Sequence, residues 1–104
     1  MKLYGLKACD TCRKALKSLP DAEFLDVRKD GVPDSVLSQG FAEFGNALLN
    51  TRSTTWRGLD KGQRAKAPLE LLKEHPTLMK RPVTEMDGTL RQGWTAELQA
   101  ALGL

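Results

Sequence analysis

The chain has no long apolar run. No uninterrupted stretch exceeds three apolar residues, whereas a helix needs ~20 to cross a bilayer, so a helical membrane span is excluded. The opening MKLYGLKACD carries an early lysine but no apolar segment of the ~7–15 residues a secretory signal uses. The expectation is therefore a cytoplasmic protein. Histidine occurs once and cysteine twice. Cys9, Cys12 and His75 supply at most three of the four ligands of a structural zinc site, so no metal is expected. The two cysteines also lie too close in sequence to close a stabilising disulfide loop. Charge of one sign does not accumulate either. There are 16 basic and 13 acidic residues, a net charge of +3 and no block of five like charges, so no nucleic-acid-binding tail is evident. This balance suits a small anionic ligand.

What remains is an ordinary globular composition. Apolar residues make up 40% and charged residues 28% of 104 residues, enough for one domain. No internal repeat is visible. Residues 2–6 (KLYGL) alternate as a short strand. A helix is expected from about Asp10 to Leu19, stopped by Pro20, with Cys12, Ala15, Leu16 and Leu19 as its buried stripe. Residues 23–27 read as a second strand and Asp30–Gly31 as a turn. Pro33 opens a second helix bearing Leu37, Phe41 and Phe44, and Gly45 stands at its C-terminal cap. Residues 46–80 read as mostly helical. Asp60 and Gln63 resemble a capping box, Pro68 starts a helix carrying Leu69, Leu71 and Leu72 as core residues, and that helix ends before Pro76. Residues 82–86 and 89–91 flank Asp87–Gly88, a strong hairpin signal. A last helix runs from about Thr95 to Leu102 and carries Leu98, Ala101 and Leu102.

The order βαβα, helices, ββα predicts an α/β protein of thioredoxin-like fold. It would be a single domain over residues 1–104 with a four-stranded mixed sheet, flanking helices and a helical insertion at about 46–80.

Cys9-Asp10-Thr11-Cys12 falls just after the first strand and at the start of the first helix. There the first N–H groups lack internal partners and the helix carries roughly half a positive charge. A thiolate at Cys9 would be stabilised, with Lys7 and Arg13 acting in the same sense. Cys12 lies on the apolar stripe and should be the buried thiol, while Cys9 should be exposed. That is the usual pairing of an attacking and a resolving thiol. The spacing also allows a Cys9–Cys12 disulfide. His75 reads as a helix C-terminal residue, and Trp56 and Trp94 read as packing anchors.

YGLKACDTCRKAL, LLNTRSTTWRGL and EHPTLMKRPVTEMDGTL resemble, in order, three blocks of the arsenate reductase-like family. That family includes glutathione- and glutaredoxin-coupled arsenate reductases, Spx regulators and small YffB-type proteins. Cys12 is similar to Spx at that one point, and TTWRGL and the short length look more like the YffB-type proteins. The resemblance implies a thioredoxin-like core with a helical insert. It matches Cys9 to the catalytic nucleophile and Arg52, Arg81 and, more loosely, Arg91 to substrate-binding arginines. It matches Pro82 to a proline held in cis opposite the cysteine. A guanidinium fork suits oxyanions and carboxylates. The implied activity is a glutathione-dependent thiol reductase, with glutathione as co-substrate, no tightly bound cofactor, and Cys12 or glutathione resolving the intermediate. Glutaredoxin is a possible partner, and a monomer is expected. The alternatives are a redox-sensing regulator binding RNA polymerase, or a strict arsenate reductase.

Overall fold

Strand β1 (Lys2–Gly5) lies inside a four-stranded sheet of order β2-β1-β3-β4. In the computed structural model, which describes residues 1–104, β1 runs parallel to β2 (Glu23–Asp26) with Leu3 opposite Phe24. It runs antiparallel to β3 (Val83–Met86) with Leu3 opposite Thr84. β3 pairs antiparallel with β4 (Thr89–Gln92). The helix between two parallel strands and the hairpin that closes the sheet are those expected of a thioredoxin-like fold. No helix is long and apolar enough to cross a membrane.

The chain divides into two compact units, Met1–Asp30 with Arg81–Leu104, and Gly31–Lys80. The first holds the sheet. Its hairpin turns at Asp87 and Gly88, which adopt φ of 52° and 78°. Both values are the left-handed conformation a two-residue hairpin needs, and Asp-Gly adopts it at low cost. Helix α1 (Asp10–Ser18) buries Cys12 and Ala15. Leu16 and Leu19 are only half-buried, so the buried stripe is narrower than the spacing predicts. Gly5 explains how close α1 comes to the sheet, since a Cβ there would lie 2.6 Å from the Cys12 Sγ. Leu3, Tyr4, Val27, Val83 and Leu90 complete this core. The last helix of the chain is Ala96–Ala101, whose first free N–H groups are met by the Thr95 hydroxyl, which accepts from Leu98 N at 3.1 Å. It buries Leu98 but leaves Ala101 exposed.

The second unit begins with α2 (Asp34–Phe44), entered through Pro33 and ended at Gly45 with φ 59°. Its buried face is Val36, Leu37 and Gly40; Phe41 and Phe44 are half-buried. The expected helical stretch is broken into short pieces, α3 (Thr54–Arg57), α4 (Lys61–Arg64) and α5 (Pro68–Glu74). Each has its own start signal. Ser53 Oγ accepts from Trp56 N at 3.1 Å and Asp60 Oδ1 from Gln63 N at 2.8 Å, and Pro68 occupies the first turn of α5. With local caps this frequent, propensity alone cannot join them into one helix. α5 buries Leu71 and Leu72 but leaves Leu69 half-buried, and His75 is its C-cap. A short antiparallel bridge ties the middle of this unit, at residues 48–50, to its C-terminal end. Leu49 bridges Met79, flanked by Asn50 N donating to Leu78 O and Lys80 N donating to Leu48 O, both at 2.8 Å.

Candidate active site

Cys9 is the residue that caps α1. Its backbone is extended (φ −83°, ψ 118°) and its sulfur accepts from the Cys12 backbone N–H at 3.5 Å. A sulfur at this position replaces the Ser or Asp oxygen that most helices use to satisfy their first donors. The chain reaches that position through a turn in which Cys9 N donates to Leu6 O at 3.1 Å. Cys9 is half-buried rather than open, and Cys12 is 0% exposed.

The two thiols are pushed in opposite directions. Partial burial raises the Cys9 thiol, but three favourable contacts outweigh it: the Cys12 backbone N–H, the Cys12 thiol and the Arg81 guanidinium. Together they hold Cys9 below the ordinary thiol value. For Cys12, burial dominates. The backbone of Leu6 offsets part of it, but the neighbouring Cys9 sulfur adds to it, and the Cys12 thiol is pushed up to about 12. One sulfur is therefore prepared to ionise and the other to stay protonated.

The cation acting on Cys9 is Arg81, the residue at which the chain returns to the same unit, and its charge and a side-chain hydrogen bond both lower the thiol. Arg13, expected to help, instead closes an ion pair with Asp10 one turn along α1. Pro82 is buried and the Arg81–Pro82 peptide bond is cis, as the resemblance implied; Pro82 O accepts from Gly93 N at 2.8 Å.

The remaining arginines fall differently. Arg91 lies on β4 opposite Thr84 of β3, half-buried, on the same sheet face as Leu3. Its Nη1 and the Thr84 hydroxyl are both buried without a hydrogen-bond partner. Arg52 belongs to the Gly31–Lys80 unit, where its backbone N–H donates to Asn50 Oδ1 at 3.0 Å and the residue is exposed. The structure thus groups Cys9, Cys12 and Arg81, with Pro82 next to Arg81 in the chain.

Two contacts were not announced by the residues, one beside the thiols and one within the Gly31–Lys80 unit. Gly5 sits against Cys12, and a glycine inside an otherwise apolar strand was the available signal. Trp56 is half-buried and carries the Arg64 guanidinium 5.5 Å from its ring centroid. Arg64 also donates to the Trp56 and Arg57 carbonyls, a tie between α3 and α4 that no spacing announces.

Comparison with known proteins narrows the chemistry. The model of the ArsC family matches residues 4–101. The chain is 42% identical over 109 residues to an uncharacterized protein of Haemophilus influenzae, covering 95% of this chain and 96% of that one. It is similar to the solved structure of a YffB protein at 36% identity, covering 96% of each chain, with a TM-score of 0.85. It is also similar to an arsenate reductase related protein from Brucella melitensis at 33% identity, covering 96% of this chain and 91% of that one, with a TM-score of 0.69.

Proposed function

Because the chain belongs to the ArsC family, a family of arsenate reductase-like proteins, we propose that it is a glutathione-dependent thiol reductase whose nucleophile is Cys9. The observation that carries this reading is the Cys9 sulfur held between the Cys12 backbone N–H and the Arg81 guanidinium. Two donors and a cation around one sulfur favour the thiolate, the form that attacks.

The reaction balances as follows. The Cys9 thiolate attacks one sulfur of a glutathione mixed disulfide, forming a Cys9–glutathione disulfide and releasing the substrate thiolate, which takes a proton. A second glutathione, as its thiolate, attacks the glutathione sulfur of that adduct. Oxidised glutathione leaves and the Cys9 thiolate is restored. One free glutathione is consumed per turnover: the substrate leaves as its thiol, and the glutathione half of the mixed disulfide leaves joined to the second glutathione. Arg81 stabilises the charge on Cys9 before attack and again when Cys9 is the leaving group.

Cys12 is the weaker candidate for resolving the adduct. Its sulfur is buried against Gly5 and its thiol is pushed up to about 12, so it stays protonated near neutral pH and attacks poorly. The same argument weighs against the regulator reading, whose switch would be a Cys9–Cys12 disulfide. Arg81 also suits arsenate, because a guanidinium fork matches an oxyanion. The reading places the protein in the cytoplasm, where glutathione keeps thiols reduced, as a monomer with glutaredoxin as an optional reductant.

The test is turnover with glutathione against a panel of a glutathione mixed disulfide, arsenate and dehydroascorbate. Reduction of the mixed disulfide by the wild-type chain and its loss in Cys9→Ser support the reading. Equal rates in the two proteins overturn it.

A further inference from the structure

The sheet-bearing unit is charged differently at the two ends of its sheet. Strands β1 and β2 run parallel with Gly5 opposite Asp26, so the chain leaves both at the same end. Gly5 O accepts from Val27 N at 3.0 Å and Leu6 O from Cys9 N at 3.1 Å. These bonds set the loop after β2 beside the turn that leads to the thiol. The turn carries Lys7 and the loop carries Arg28 and Lys29, and all three are exposed. The loop is shaped from within, because Asp26 Oδ1 accepts from Arg28 N at 2.9 Å and from Lys29 N at 3.1 Å.

Nearby carboxylates do not cancel these cations. Asp10 is held by Arg13 and Asp26 by the two backbone N–H groups, which leaves Asp30 as the remaining acid of these loops. Lys7, Arg28 and Lys29 take part in none of the chain's ion pairs. Arg81, just before β3, adds a further positive charge at this end. The other end has the opposite sign. There Lys2 faces Glu23 on β2 and Glu85 on β3, and Asp21 and Asp87 lie in the turns beyond. A thiol at the positive end of such a charge separation draws in a negative partner and turns it to face the thiol, an effect of ~10–10³ in association rate. The cations stand on two separate exposed loops, a spread that suits a protein surface better than one small ion. A nucleic acid would match the charge but carries no disulfide for Cys9 to attack.

We propose that Lys7, Arg28 and Lys29 form a docking surface for an acidic protein that carries a glutathione mixed disulfide on a cysteine flanked by carboxylates. The proposal rests on the reductase reading above and names the substrate class of that site. Cys9 attacks the glutathione sulfur, the sulfur–sulfur bond to the protein breaks, and the protein thiolate leaves and takes a proton. A free glutathione then attacks the Cys9 adduct and leaves as oxidised glutathione.

The test compares two synthetic peptides, each glutathionylated at a central cysteine, one flanked by glutamates and the other by lysines. At low salt the full wild-type chain is expected to reduce the glutamate peptide with a kcat/KM about tenfold above that of the lysine peptide. The advantage should vanish at ~1 M salt, where charges are screened within ~3 Å. Arg28→Glu with Lys29→Glu should abolish the preference, and the charge-keeping pair Arg28→Lys with Lys29→Arg should retain it. Both pairs change exposed side chains and keep the backbone bonds to Asp26. Binding is read separately in the Cys9→Ser chain by NMR, where the glutamate peptide should shift the amides of Lys7, Arg28 and Lys29. Equal rates for the two peptides with no such shifts overturn the docking surface and leave the reductase reading standing. Shifts without turnover of either peptide keep the docking surface and overturn the reductase reading. A short single-stranded RNA that shifts these amides while the glutamate peptide does not overturns the protein assignment.

Discussion

Gly5 and Cys12 meet so closely that a single methyl group separates a packed site from a clash: a Cβ on Gly5 would lie 2.6 Å from the Cys12 Sγ. Nothing about the Gly5 backbone demands glycine, since its φ is not in the left-handed region. The requirement is purely one of space, set by the close approach of α1 to β1. Because Cys12 is fully buried, its sulfur has little room to move aside.

Gly5→Ala should therefore destabilise the fold by ~1–3 kcal/mol, the usual cost of overpacking. In the Cys12→Ala background the same change should cost much less, because the clashing atom is gone. A double-mutant cycle by urea denaturation checks this; strict additivity would show that the two residues are not coupled.

Cys9 has two separable jobs, and two substitutions divide them. As the cap of α1 its sulfur accepts a backbone N–H, a task a serine oxygen performs well. Cys9→Ser should keep the stability of the wild type, whereas Cys9→Ala should lose ~1 kcal/mol, as other capping residues do when truncated. Both should lack reductase activity. Thermal unfolding read beside turnover checks it, and an inactive serine variant that is also unstable would mean that the loss was structural.

The directions of the two thiol shifts give pH behaviour of opposite sign. Cys9 is lowered, so its alkylation by iodoacetamide should rise to half-maximum below the ordinary thiol value of ~8.5. Arg81→Gln should move that midpoint upward. Cys12 is raised to about 12 and should stay unlabelled in the folded chain at neutral pH. For stability, the raised Cys12 contributes fully below the unfolded thiol value, and its contribution is lost as pH climbs from there through about 12. The lowered Cys9 contributes above the unfolded value and loses its contribution as pH falls through its folded value. Cys12→Ala should therefore flatten the alkaline decline in stability, as followed by urea midpoints across the alkaline range.

Much of this arrangement was legible in the residues. Cys-Asp-Thr-Cys between a strand and a helix located the N-terminal cap, Asp87–Gly88 located the hairpin, and Pro33 and Gly45 bounded α2. What escaped depends on tertiary contacts. The spacing around Cys9 pointed to Lys7 and Arg13 as its cations, but Arg13 pairs instead with Asp10. The effective cation, Arg81, was reachable only through the family resemblance, because pairing of β1 with β3 is what brings distant residues together. Half-burial of Leu16, Leu19 and Leu69 also could not be read from periodicity, which gives the direction a side chain faces but not how far its neighbours extend.

If glutathione is the resolving thiol, Cys12 should be dispensable for chemistry. Cys12→Ala should retain turnover within about threefold, a change of under ~1 kcal/mol in barrier, despite a loss of stability from the vacated volume. Steady-state kinetics at saturating glutathione checks this, and a collapse of turnover in a folded Cys12→Ala chain would give the resolving role to Cys12.

The most direct test of the account is to trap the intermediate. The reduced wild-type chain is mixed with one equivalent of a glutathione mixed disulfide, quenched in acid, and mapped by mass spectrometry. The account predicts a glutathione adduct on Cys9 and none on Cys12, released on adding free glutathione. An adduct on Cys12, or no adduct at Cys9 while the substrate is still reduced, would contradict it.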